Sequence, residues 1–157
     1  EGRPTTDDRP RREPSSVVRG LSSTTSSRAL IPGEAAGSAL VLAEPLSLWG
    51  GLDPTTGDII DQRHPQWGRN VSGRVLVMPV GKGSSSASSI LLEAVRLGTA
   101  PAAIVLAEPD AILALGAAVA RELYGVSPAV VVVGAAYGQI REGSAVRLTG
   151  GELVGLS

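Results

Sequence analysis

The residues best suited to chemistry lie in Met78–Ser89, "MPVGKGSSSASS", where two glycines flank a lysine and five serines follow, interrupted by Ala87. Hydroxyls beside a cation and permissive backbone have three uses. They can cradle a nucleotide phosphate, join independent units as a linker, or place one serine oxygen for proton or acyl chemistry. The phosphate-loop pattern G-x-x-x-x-G-K-[ST] fails twice, because Leu76 stands where its first glycine belongs and Gly83 where Ser or Thr must follow Lys82. A linker fails on context, since an apolar run enters the stretch and a helical pattern leaves it. In the third use, Gly81 and Gly83 let backbone approach a ligand, the opening helix aims N–H groups at an anion, and Lys82 adds a mobile positive charge. A serine in that field sits where an alkoxide is stabilised. The residues alone leave two readings open: Ser84, Ser85 and Ser86 supply a plain helix cap, or one hydroxyl reacts.

Other constellations are weaker. His64, the only histidine, falls in the polar, proline-bounded "RHPQW", and no G-x-S-x-G elbow surrounds any serine. A surface loop residue or a substrate-loop contact is expected there rather than a general base. Asp53, Asp58 and Asp61 lack the alternating spacing and terminal Glu of a calcium loop and are read as turn formers. Met78 and Tyr124 are expected to pack in the core.

The elements around the serine stretch must hold it. Arg74–Met78 is an apolar run of strand length, and Ala87, Ile90, Leu91, Ala94 and Val95 then recur on one helical face until Gly98 stops the helix. Ala102–Ala107 reads as a strand. Ile112, Leu115, Val119 and Leu123 mark a second helical face behind Asp110 as N-cap, and Ala129–Val133 is a β-branched strand. Two short strands, Ala29–Ile31 and Ser38–Ala43, precede this unit across a Pro-Gly turn, and "SAVRLTGGELVGL" closes it as a hairpin turned at Gly150-Gly151. The pattern predicts an α/β layered domain with a partly parallel, buried sheet and flanking helices. The serines then lie at a strand-to-helix turn, where such sheets place ligands. Trp49–Asn70 is a long run of turn chemistry, expected to be functional or mobile.

Residues 1–27 are rich in Pro, Ser, Thr, Arg and Asp and are expected to form a disordered tail, leaving 28–157 as the folded domain. A net charge of −1 and only two Trp, two Tyr and no Phe argue against a nucleic-acid partner. With no cysteine, the chain forms no disulfide and no thiolate metal site of its own. No apolar run spans a bilayer and no secretory h-region is visible, so a cytoplasmic location is expected.

Several segments together resemble the small subunit of the aconitase X family, hydro-lyases of the aconitase superfamily. They are "PLSLWGGLDPTTGDIIDQRHPQWGRNVSGRVLVMPVGKGSSSASSILLE" and the following "APAAIVL", within a match of roughly Gly33–Gly134. The resemblance implies a swivelling β/β/α domain, paired with a large subunit that holds an iron or iron–sulfur centre. It implies Ser84 as proton acceptor, with Gly81, Lys82, Gly83, Ser85 and Ser86 binding the substrate anion. The "SLWGGLDPTTG" loop would line the subunit interface or the active-site mouth. Two activities belong to the family: dehydration of cis-3-hydroxy-L-proline and of (R)-5-phosphomevalonate. The Ala-, Gly- and Arg-rich composition suits a high-GC bacterium and favours the first. A non-catalytic swivel module, whose serines only cap the helix, is the remaining alternative.

Overall fold

The structure, a computed structural model, describes residues 27–83 and 85–156. The expected tail of residues 1–27 therefore lies outside the described residues but for Ser27. Seven strands form one sheet: β1 (Arg28–Ile31), β2 (Ala35–Val41), β3 (Val75–Met78), β4 (Ala103–Leu106), β5 (Ala129–Val132), β6 (Ala145–Thr149) and β7 (Glu152–Leu156). A single distorted turn, α1 (Leu48–Gly51), precedes β3, and the helices α2 (Ser86–Leu97) and α3 (Ala111–Tyr124) follow β3 and β4. A 3-10 turn spans Gly134–Gln139. The strand order is β1-β5-β4-β3-β2-β6-β7. The centre, β2 through β5, is parallel, and both flanks are antiparallel.

Every residue of β3 and β4 is buried, because both faces of the sheet are covered. Strand alternation then sorts side chains by size. Leu40, Leu76, Met78, Ile104, Leu106 and Val130 face the helices. Ala39, Val75, Val77, Ala103, Val105, Ala129 and Val131 face the other way, against Ile140, just after the 3-10 turn, and Val146, Leu148 and Leu153 of the β6–β7 hairpin. Leu, Met and Ile predominate on the helix side, and Ala and Val on the side covered by the hairpin. This is the expected β/β/α layering.

The sheet also curls until its edges nearly meet. β1 and β2 lie four strand spacings apart in the hydrogen-bonded order, about 19 Å if flat. Pro32, Gly33 and Glu34 join them, and such a connection reaches at most about 14 Å. Closure is made by Ser27, whose hydroxyl donates to the Gly151 carbonyl at 2.8 Å, and by Gly151, where a Cβ would stand 2.5 Å from that of Ala29.

Two expectations about α3 need correcting. Leu115 and Leu123 are 59% and 61% exposed, while the buried stripe is Leu113, Gly116, Ala117 and Ala120. Both stripes satisfy a 3.6-residue period, so spacing does not choose between them. Close approach of α2 does: a Cβ on Gly116 would lie 3.0 Å from the Ser88 carbonyl oxygen and 3.1 Å from its Cα. Only small residues admit a neighbouring backbone that near. Tyr124, the last residue of α3 before the Gly125 cap, is 40% exposed rather than in the core, whereas Met78 is fully buried.

No helix among the described residues is long and apolar enough to cross a membrane.

Candidate active site

The serine stretch leaves the carboxyl end of β3 and runs through Pro79, Val80, Gly81, Lys82 and Gly83 before α2 begins. The Pro79 carbonyl accepts from the N–H groups of Ala107 (2.9 Å) and Glu108 (3.1 Å), which ties this turn to the one leaving β4. That second turn ends at Asp110, the predicted N-cap of α3. Its Oδ1 accepts from the N–H groups of Ile112 at 2.9 Å and Leu113 at 3.0 Å.

Asp110 does more than cap. A Cβ built on Gly81 would overlap Asp110 Oδ2 and stand 2.7 Å from its Cγ. On the other side, Ser47 pairs with Lys82 as an isolated parallel bridge, and a Cβ on Gly83 would overlap Ser47 Oγ and lie 3.2 Å from Ser47 Cβ. The Gly-Lys-Gly turn is thus held between a carboxylate and a hydroxyl from two other parts of the chain. Gly83 also has φ +106°, a conformation only glycine adopts without strain.

Lys82 is exposed and Gly81 half-buried. Ser84 lies outside the described residues. Ser85 occupies the cap position of α2 with φ −54° and ψ −20°, already helical, and its side chain makes no capping bond. Its carbonyl accepts from the Ser88 N–H at 3.2 Å and the Ser88 hydroxyl at 2.7 Å. Ser86, half-buried, opens the helix. The plain-cap reading therefore does not hold for Ser85, in contrast to Asp110.

The long loop before β3 is built, not loose. Leu46, Leu48, Leu52, Ile59 and Val71 are each at most 2% exposed and belong to the helix-side core. His64, expected at the surface, is only 5% exposed. Its Nδ1 accepts from the Gln66 N–H at 3.0 Å, so Nε2 carries the proton and donates to the Glu44 carbonyl at 3.0 Å. With both ring nitrogens committed to backbone, His64 pins the loop and is not placed as a base. The aspartates act as turn formers. Asp53 accepts from the Thr55 hydroxyl and N–H, which hold its carboxyl below its usual range. Asp58 accepts from Asn70 at 2.9 Å and Asp61 from the Arg63 N–H at 3.0 Å.

Three large apolar side chains of this loop stay in solvent: Trp49 (60% exposed), Ile60 (46%) and Trp67 (57%). Backbone bonds bring their segments together, from the Ile60 N–H to Gly51 O at 2.8 Å and from the Gly68 N–H to Ile59 O at 2.9 Å. Trp49 stands two residues beyond Ser47, which pairs with Lys82, so this side chain lies near the turn. No group of three or more His, Cys, Asp or Glu able to hold a metal occurs among the described residues, so these residues do not fit an iron centre of their own.

Ser47, and Asp110 in a role beyond its expected cap, are neighbours of the turn that no local pattern identifies. Their signal was the glycine pair itself: each missing Cβ marks a place filled from elsewhere.

Comparison with known proteins bears on the whole arrangement. The family described as the aconitase X swivel domain matches residues 24–155. A cis-3-hydroxy-L-proline dehydratase of Pseudomonas aeruginosa is 46% identical over 126 residues, 80% of this chain but 22% of that protein. A phosphomevalonate dehydratase small subunit of Methanothermobacter thermautotrophicus is 45% identical over 93 residues, 59% of this chain and 71% of that one. The crystal structure of holo aconitase X from Thermococcus kodakaraensis superposes with a TM-score of 0.75 at 30% identity, covering 83% of this chain and 95% of that one. The chain thus spans about a fifth of the first relative and about seven-tenths of the second.

Proposed function

The chain belongs to the aconitase X family as its swivel domain, and from that premise we propose that it is the small, serine-bearing part of a hydro-lyase. The reaction is dehydration of a hydroxy acid, with cis-3-hydroxy-L-proline as substrate. Ser84 takes the proton from the carbon next to the carboxylate. The hydroxyl on the adjacent carbon departs, and the two carbons are left joined by a double bond, with water as the second product. Lys82 and the N–H groups of Gly83, Ser85 and Ser86 bind the substrate carboxylate at the opening of α2. Gly81 lets the turn lie close to it.

The departing hydroxyl calls for a Lewis acid, and this chain's described residues do not fit one. That part is assigned to a large partner subunit carrying an iron or iron–sulfur centre. Relatives named as small subunits, and a relative in which the matched region is 22% of a longer chain, support a division of this kind. The exposed Trp49, Ile60 and Trp67 of the loop before β3 offer the partner large apolar side chains.

The observation that carries the reading is the clamped turn, which ends at Gly83 and leads directly into Ser84 and the 12-residue α2. Reconstitution with the large subunit tests it. Ser84→Ala is expected to cut kcat by about 10²-fold or more, the usual contribution of a positioned base. Near-full dehydratase activity in that variant sinks the proton-acceptor role and leaves a non-catalytic swivel module.

A second substrate is (R)-5-phosphomevalonate, favoured by the 45% identity to the archaeal small subunit. Assay of the same complex on both compounds decides between them. The larger matched span, 126 residues at 46% identity, supports the hydroxyproline reaction.

A further inference from the structure

The two glycines of the turn meet different walls, and the wall at Gly81 is the less easily explained. Gly83 has positive φ, so its backbone alone calls for glycine. Gly81 does not, and the space beside it is what excludes a side chain. That space is taken by Asp110 Oδ2, while Oδ1 of the same carboxylate receives both capping bonds. Ser or Thr would also cap a helix, without a second oxygen to press on the turn. The two capping bonds lock the carboxylate in one orientation, and the Pro79 carbonyl anchors its loop to the exit of β3.

We propose that Asp110 is a positioning residue for the dehydration: through Gly81 it holds the Gly81–Gly83 turn, and so the chain entering Ser84, in the geometry that the reaction uses. The proposal rests on the reading of Ser84 given above. Asp110 does not touch substrate. It acts as a rigid stop, built from the β4–α3 turn, against which the β3–α2 turn is set. Misplacing a reacting group by about 1 Å can cost about 10²-fold in rate, so a stop of this kind carries weight.

The test separates the stop from the cap in the reconstituted two-subunit complex. Asp110→Ser keeps a capping oxygen and withdraws the one facing Gly81. It is expected to retain the wild-type melting temperature and to lose about tenfold to a hundredfold in kcat, with KM nearly constant. Asp110→Asn, which keeps both the cap and the shape, is expected to stay within about threefold of wild-type kcat. Gly81→Ala should lower both melting temperature and kcat, because its methyl group meets Oδ2. The double variant Gly81→Ala/Asp110→Ser should recover part of each, since the methyl then enters vacated space. Wild-type kcat in Asp110→Ser, or a double variant no better than Gly81→Ala alone, overturns the proposal. The melting temperatures read the Gly81–Asp110 contact without reference to Ser84. A Ser84→Ala complex that kept its activity would therefore sink the proton-acceptor reading and leave this contact to be judged on its own.

Discussion

Gly83 shows how much a single residue of the turn has to satisfy. Its φ of +106° strains any residue with a Cβ, and that Cβ would overlap the Ser47 hydroxyl. Positive φ and overlap each cost on the order of 1–3 kcal/mol. Gly83→Ala is therefore expected to lower the melting temperature and to displace the Ser47–Lys82 bridge, with kcat falling as the turn shifts. A variant with unchanged melting temperature and kcat would show that the bridge tolerates the methyl group and that the turn is not clamped. His64 teaches the opposite lesson about a lone reactive side chain. Its chemistry invites a catalytic role, yet burial and two backbone partners make it a loop pin.

The loop and the hairpin are joined by a cluster around Glu142. Its carboxylate accepts from the Val41 N–H at 2.6 Å, pairs with Arg69 at 2.6 Å and lies 3.4 Å from Arg74. Partial burial alone would push the Glu142 carboxyl up. The Val41 N–H and the two guanidinium groups outweigh it and hold the group below its ordinary value of 4.5. A carboxyl lowered by folding stabilises the folded state above its unfolded value, and that contribution is lost as pH falls through the folded value. The wild-type chain should thus lose stability below about pH 4.5, and Glu142→Gln should flatten that part of the curve while lowering stability at neutral pH. Melting temperatures from about pH 3 to about pH 7 check it, and parallel curves for the two proteins would remove Glu142 from the account. The pair is half-exposed, so the effect is modest.

Taken whole, the domain is a curled sheet with helices on one face, a hairpin on the other and the Gly-Lys-Gly turn at one end. Trp49 and Trp67, the chain's only tryptophans, remain exposed on the loop before β3. Exposed aromatics at a protein surface are frequent anchors of an interface. If the proposed large subunit docks here, Trp49→Ala and Trp67→Ala are each expected to weaken its association by about 2 kcal/mol, roughly 30-fold in Kd, with no change in the melting temperature of the isolated chain. Calorimetric titration of one purified subunit with the other measures this. Unaltered affinity in both variants would place the interface elsewhere, with the exposed Leu115 and Leu123 of α3 as the next surface to examine.

Much of this was legible along the chain because it depends on near neighbours. Strand-length apolar runs, the Asp110 cap, the Gly98 stop and the Gly150-Gly151 turn are local facts, and β3, α2, β4, α3 and β5 stand where those signals put them. The Gly-Lys-Gly-Ser stretch, too, announced itself by composition. What the order of residues does not contain is which distant atoms arrive in the space each glycine leaves open. Only the side-by-side placement of β2, β3 and β4, and of α2 against α3, brings Ser47 to Gly83, Asp110 to Gly81 and Ser88 to Gly116. Packing of α2 against α3 chose small residues over leucines for the buried side of α3, and the fold of the long loop buried a histidine that reads as a surface residue. Local conformation follows from short-range sterics and hydrogen bonding, while burial and close approach are set by packing among segments far apart in the chain.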